Sequence, residues 1–251
     1  MKKTQAAPAA AWSPTPAWAD EVMHALERVY PDSACALEWG GQTCRDKESA
    51  REQLRRDSWK LLVMARLSAQ CTDARVNIVC RELFDKYPTC AALAEAPLAD
   101  IETIIRPCGL YHGKAVSIKD SCTILVRDYD GIVPDSMEAL LALPGVGRKI
   151  ANLLLGDVYG QPGVVTDTHC IRICGRLGFY DEALKDPARV ERILTPLLRP
   201  EGQSEFCHRL VQFGRDVCTA RSPACGKCPL SGLCRHSRQE TPNPGTAAAM
   251  G

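Results

Sequence analysis

A chain of 251 residues with 45% hydrophobic and 24% charged side chains can bury a sizeable core, which excludes disorder of the whole. Its formal net charge is +1, so charge balance by itself points to no partner. Apolar runs such as Ile150 to Leu155 fall far short of the roughly 18–20 residues a membrane-spanning helix needs, so no membrane role is expected.

Residues 1–17 are rich in Ala, Pro and Thr and predict a flexible N-terminal tail. Pro8, Pro14 and Pro16 break this stretch before a secretion signal could form, so a cytoplasmic protein is expected, nucleoid-associated if bacterial. From Trp18 onward apolar residues recur three and four apart: Trp18, Val22, Leu26 and Val29, then Trp59, Leu62, Val63 and Leu67, then Val76, Val79 and Leu83. That period is helical. Further helices are predicted around Val116 to Val126, Met137 to Leu143, Ile150 to Val158, Ile171 to Leu177 and Val190 to Leu198. No segment alternates as a half-buried strand would, so the predicted fold is all-α, with prolines such as Pro88, Pro134 and Pro187 marking turns. Residues 40–57 have almost no apolar side chains and predict a linker or a solvated helix. Residues 239–251 predict a second flexible tail, and residues 205–239 carry a net charge of +4 that could face a polyanion.

Leu143-Pro144-Gly145-Val146-Gly147-Arg148-Lys149 separates two predicted helices. Its glycines permit close backbone approach to an anion, and the next helix begins at once with free N–H groups and the positive end of its dipole. The spacing fits neither a P-loop nor a dinucleotide fingerprint, which leaves a backbone-phosphate contact or an ordinary helical corner. Lys149, in the first turn of that helix, meets an unfavourable dipole. That field, with partial burial beside Ile150 and Leu153, would leave a nucleophilic amine. Asp167 precedes Ile171, Ile173 and Leu177 and predicts a helix N-cap, while His169 reads as a packing or hydrogen-bonding residue.

Of the 14 cysteines, ten from Cys35 to Cys207 show no ligand spacing and are read as small buried hydrophobes. Cys218, Cys225, Cys228 and Cys234 are different, with six, two and five residues between them. Zinc and a [4Fe-4S] cluster both accept four thiolates. A single CxxC between unequal outer loops favours iron–sulfur over the paired knuckles of a zinc ribbon. A centre closed by four cysteines leaves no open coordination position, so its expected role is to staple a loop-rich segment and position Arg221 and Lys227.

Five segments in consistent order resemble the endonuclease III family of helix-hairpin-helix DNA glycosylases: Leu67-Ser68-Ala69-Gln70-Cys71-Thr72-Asp73, Gly109-Leu110-Tyr111, Leu143 to Lys149, Thr166-Asp167-Thr168-His169 and the cysteine cluster. The resemblance implies a six-helix barrel domain containing the helix-hairpin-helix, at residues 56–161. It also implies a [4Fe-4S] cluster domain made from both chain ends, residues 18–55 and 162–238. It further implies a monomer that acts on damaged double-stranded DNA, excising oxidised pyrimidines and then nicking the strand. Position by position, Lys149 matches the lysine that forms a Schiff base with the sugar and Asp167 the essential carboxylate. Gln70 matches the residue that fills the gap left by an extruded nucleotide, Leu110 the wedge, and Ser68 and Asp73 pocket residues. Gly145, Val146, Gly147 and Arg148 match the hairpin that holds DNA, and the four C-terminal cysteines match the cluster ligands. Two other readings compete: a non-catalytic iron–sulfur DNA-binding redox sensor, and a zinc-stapled interaction module. Lys149 with Asp167 argues against the first, because a mere binder needs neither; colour separates the second, since an iron–sulfur protein is brown and a zinc protein colourless.

Overall fold

A computed structural model describes residues 12–39 and 47–240, and among them all regular structure is helical. The α-helices are α1 (Pro16–Val29), α2 (Lys47–Arg56), α3 (Ser58–Leu67), α4 (Asp73–Lys86), α5 (Cys90–Glu95), α6 (Leu98–Ile105) and α7 (Tyr111–Tyr129). They continue as α8 (Met137–Leu141), α9 (Arg148–Tyr159), α10 (Thr168–Leu177), α11 (Pro187–Leu194), α12 (Gln203–Asp216) and α13 (Arg235–Glu240). None of the described helices is long and apolar enough to cross a membrane.

Contacts divide the chain into two compact units. One comprises Asp32–Val165 with Pro200–His208; the other holds the described parts of Met1–Pro31, Thr166–Arg199 and Arg209–Gly251. The sequence-based boundaries put residues 32–55 with the chain ends; contacts group the described part of that segment with the barrel residues instead.

In the barrel unit α3 is the inner helix. Eight of its ten residues, among them Trp59, Leu61, Leu62, Val63 and Met64, are buried, and only Lys60 and Arg66 are partly exposed. It packs against α2, α4, α7 and α9, and α7 packs in turn against α5 and α6. Lys119 of α7 donates to the carbonyls of Ala94 (2.7 Å) and Ala96 (2.6 Å), satisfying acceptors that the end of the short α5 leaves open.

In the other unit α1 buries Ala19, Val22, Met23 and Leu26, a single face at helical spacing. The expected N-terminal tail is ordered from residue 12. Trp12 Nε1 donates to Gly178 O at 2.8 Å, its ring meets Trp18 edge-on, and Thr15 caps α1. Buried aromatic surface outweighs the loop-like composition there. Residues 1–11, 40–46 and 241–251 lie outside the described residues, and with them most of both expected tails, the start of the polar stretch and Cys44. The described remainder of that stretch is helical in α2, ending in Arg55 and Arg56 on its exposed side.

Four of the described helices escape the hydrophobic pattern, α5, α6, α12 and the six-residue, polar α13. α5 and α6 are too short to show a period, although Thr89 caps α5 with a bond to Ala92 N (3.0 Å). α12 buries Phe206, Leu210 and Phe213 on one stripe that the basic charge of this region conceals.

Candidate active-site and cluster-binding residues

The glycine turn is a type II turn between α8 and α9: Val146 N donates to Leu143 O (3.1 Å), with Pro144 and Gly145 at its centre. Gly145 has φ +78°, and a Cβ there would lie 2.5 Å from Arg66 Nε. Arg66 fills the space beneath the turn by donating to Ser117 Oγ at 2.9 Å. Gly147 differs: its backbone is extended, and a Cβ would meet nothing within 4 Å. Gly145→Ala is therefore expected to cost about 1–2 kcal/mol in backbone strain alone, whereas Gly147→Ala should leave thermal unfolding unchanged; equal effects of the two would contradict this assignment.

Val146 anchors the hairpin, buried and with its amide used inside the turn, so the amides facing outward are the first ones of α9. Six described helices receive a side-chain cap, from Thr15, Thr72, Thr89, Ser136, Asp167 or Asp186, but Gly147 offers α9 none. An uncapped N-terminus flanked by a glycine suits an anion. Arg148 and Lys149 open this helix, both exposed. The partial burial expected for Lys149 is thus not found in the free protein.

Gln70 and Leu110 share an unusual backbone. With Asp130 they are the non-glycine residues at positive φ among those described, at 56° and 49°. Leu110 is also 65% exposed. Each left-handed residue costs roughly 1–2 kcal/mol, so the two loops hold strain where the sequence places DNA contacts. Ser68 and Asp73 flank Gln70 in the α3–α4 turn. Ser68 Oγ donates to Ala65 O at 2.8 Å, and Asp73 begins α4 behind the Thr72 cap.

What holds both loops is Lys114, which sequence reasoning missed. Its Nζ donates to Leu67 O (2.8 Å), Ala69 O (2.7 Å) and Cys108 O (2.9 Å), so one ammonium ties the Gln70 turn to the Leu110 turn. The side chain is 1% exposed, and burial holds its pKa below the ordinary lysine value. Three donors meet three carbonyls, which leaves the ammonium fully satisfied. Lys114→Met keeps the volume but orphans those carbonyls, so the protein should lose about 3 kcal/mol, read as a lower denaturant midpoint. An unchanged midpoint would mean that the loops are held by other contacts.

In the other unit Asp167 is the N-cap of α10, Oδ1 accepting from Cys170 N at 2.7 Å. His169 Nδ1 lies 3.3 Å from Arg172 Nη2 and so close to Gly214 that a Cβ there would come within 2.3 Å of it. Further along α10, Arg172 donates to Cys218 O (3.0 Å) and Arg176 to Thr219 O (2.7 Å) and Ala220 O (2.8 Å). The helix that carries Asp167 therefore also braces the first cysteine loop.

Cys218, Cys225, Cys228 and Cys234 line one cavity, walled otherwise by apolar residues including Ile173, Leu177 and Phe213 and by Arg176, His236 and Ser237. Burial, and then the neighbouring sulfurs of Cys234, Cys218 and Cys225, push the Cys228 thiol up to about 11. Four converging sulfurs of this kind fit a metal centre, whose positive charge offsets their mutual repulsion. Seven of the other cysteines are buried, as the sequence predicts, but Cys35 and Cys71 are partly exposed.

A family model for HhH-GPD superfamily base excision DNA repair proteins matches residues 63–200, and one for the iron–sulfur binding domain of endonuclease III matches residues 218–234. Endonuclease III of Synechocystis sp. is 39% identical over 217 residues, covering 86% of this chain and 91% of that protein. The Escherichia coli K12 enzyme is 38% identical over 181 residues, 72% of this chain and 85% of that protein. Among solved structures, a trapped endonuclease III–DNA covalent intermediate superposes with a TM-score of 0.76 at 36% identity, covering 90% of this chain and 98% of that one. With its hairpin inside one match and its four clustered cysteines spanning the other, the chain belongs to the endonuclease III family of base excision repair glycosylases and carries that family's [4Fe-4S]-binding domain.

Proposed function

We propose that this protein is a bifunctional DNA glycosylase and abasic-site lyase that removes oxidised pyrimidines from duplex DNA, acting as a monomer in the cytoplasm, on the nucleoid of a bacterium. The observation that carries the reading is Lys149, an exposed amine directly after an uncapped, glycine-flanked helix N-terminus. In this reading the turn and the first amides of α9 hold backbone phosphate, which gives affinity without base preference. The damaged nucleotide leaves the stack, since neither its base nor C1′ can be reached inside a duplex. Gln70 occupies the vacancy and Leu110 wedges the opposite strand, both projected by the strained loops that Lys114 holds.

As the base departs with its bonding electrons, positive charge builds on the sugar, and the carboxylate of Asp167 stabilises it. The Lys149 amine bonds to C1′ and gives up one proton; the C1′–O4′ bond then breaks, O4′ taking a proton as the sugar ring opens, and the nitrogen lone pair completes an iminium. The iminium acidifies a C2′ proton; its removal drives β-elimination, which expels the 3′ phosphate and cuts the strand. Cys218, Cys225, Cys228 and Cys234 would hold the cluster, which supplies the fold of the cysteine loops and takes no step in this chemistry. A purely binding role as a redox sensor has no use for Lys149 or Asp167.

The test is single-turnover excision across duplexes that each carry one lesion, with borohydride present in a parallel series. Oxidised pyrimidines should be released and should yield a covalent protein–DNA species. Release of undamaged adenine from mismatches without trapping would overturn the proposal.

A further inference from the structure

We propose that Cys35, Asp157 and His208 form a second metal site, distinct from the cluster, that takes a divalent cation of borderline softness, with zinc the best match. All three belong to the barrel unit: Cys35 to the segment between α1 and α2, Asp157 to the last turns of α9 and His208 to α12. One ligand atom from each lies within 4.8 Å of the others. Tetrahedral zinc, with bonds of about 2.0–2.3 Å, spaces its ligand atoms about 3.3–3.7 Å apart, so small side-chain rotations close the set. A thiolate, an imidazole and a carboxylate are the donors zinc prefers among the common divalent ions.

The second observation is an orphan. The Asp157 side chain is only 9% exposed. Its Oδ1 accepts from Ser204 Oγ and contacts His208 Nε2, both at 2.7 Å, while its buried Oδ2 has no hydrogen-bond partner among the described residues, the Cys35 thiol standing beside the carboxylate. A buried carboxylate oxygen left unpaired is costly, and a cation beside it removes the cost. The surroundings are shaped for this. Gly156 lets the start of α12 come so close that a Cβ there would lie 2.6 Å from Ser204 Oγ, and Ser204 then fixes the carboxylate. The three donors line a cleft of about 610 Å³ with Leu37, Trp39 and Ser204, which leaves an entry path and room for a water as fourth ligand.

A Cys–His–Asp proton relay is the competing use of these residues. It requires the thiol and the carboxylate on opposite ring nitrogens. Here Asp157 sits on Nε2, and the Cys35 thiol stands beside the Asp157 carboxylate itself. Asp157 also lies eight residues beyond Lys149, about 12 Å along the helix. The site is therefore a structural clip that ties the Cys35 segment to α9 and α12.

The test uses the holoprotein with its cluster intact, loaded anaerobically with zinc chloride and dialysed against a weak chelator. Metal analysis should find one zinc per chain beyond the full iron content. The zinc X-ray absorption edge should show a single sulfur neighbour at about 2.3 Å with nitrogen or oxygen at about 2.0–2.2 Å. Cys35→Ser, the deciding variant because Asp157 and His208 also brace each other, should lose that sulfur and weaken zinc binding about 100-fold at unchanged iron content. His208→Gln should weaken binding similarly. Zinc bound equally by Cys35→Ser, a four-sulfur environment that places zinc in the cluster cysteines, or no retained zinc would each overturn the proposal.

Discussion

Lys149→Gln should abolish the covalent species that borohydride traps on a lesion duplex while leaving the duplex bound. Glutamine retains length and polarity but offers no amine for C1′, and the glycine turn proposed to contact phosphate is untouched. Asp167→Asn separates the other half of the mechanism. Asparagine ranks with aspartate as an N-cap and can still accept from Cys170 N, so α10 and the unfolding midpoint should be nearly unchanged. What disappears is the negative charge proposed to face the developing sugar cation. Base excision should fall by about 10²–10³-fold, the scale of losing one key electrostatic group. A pre-formed abasic site already lacks its base, so there Asp167→Asn should retain more strand cleavage than Lys149→Gln. Both variants are compared on lesion and abasic duplexes, with product and trapped complex measured together. Wild-type trapping by Lys149→Gln would assign the nucleophile to another amine, and normal excision by Asp167→Asn would reduce that residue to a cap.

Cys218→Ala is the second large effect expected, and it acts through the fold. Between Val217 and Cys234 the chain buries few side chains, chiefly Leu230 and Cys234, so hydrophobic burial does little to order these loops. Their order comes from the metal centre and from the arginines of α10 reaching Cys218, Thr219 and Ala220. Loss of one ligand should bleach the brown absorbance and lower the unfolding midpoint by about 10 °C or more, with much of the protein insoluble. The damage should extend to excision, because the same helix carries Asp167 at its start. An iron-free Cys218→Ala protein with native helicity and native melting would show that the cysteine loops fold without the cluster.

Every feature that the sequence predicted well is written in a few consecutive residues. The helical spacing of Trp59, Leu62, Val63 and Leu67 becomes α3, whose apolar side chains are buried while Lys60 and Arg66 stay partly exposed. Pro144-Gly145 makes a type II turn because proline presets one central dihedral and glycine alone tolerates the other. Asp167 caps α10 because a short carboxylate reaches the amide three residues on. The four cysteines fall in one cavity because their loops are too short to diverge.

Tertiary structure alone decided the rest. α12 shows in the sequence as a run of charge, and only packing makes a stripe of Phe206, Leu210 and Phe213. The left-handed backbone at Gln70 and Leu110 has no local signature, because side chains of those types ordinarily avoid it and the strain is supported from elsewhere. That support is Lys114, whose carbonyl partners Leu67 and Ala69 lie 47 and 45 residues away in the chain. Cys35, read as one more small hydrophobe, meets Asp157 and His208 only after three distant segments have folded together. Turns, caps and short-loop clusters are set by steric and hydrogen-bonding rules that operate over three to six residues. The placement of a buried cation, an orphaned carboxylate or a half-exposed thiol depends on which remote groups fill its surroundings, and packing settles that.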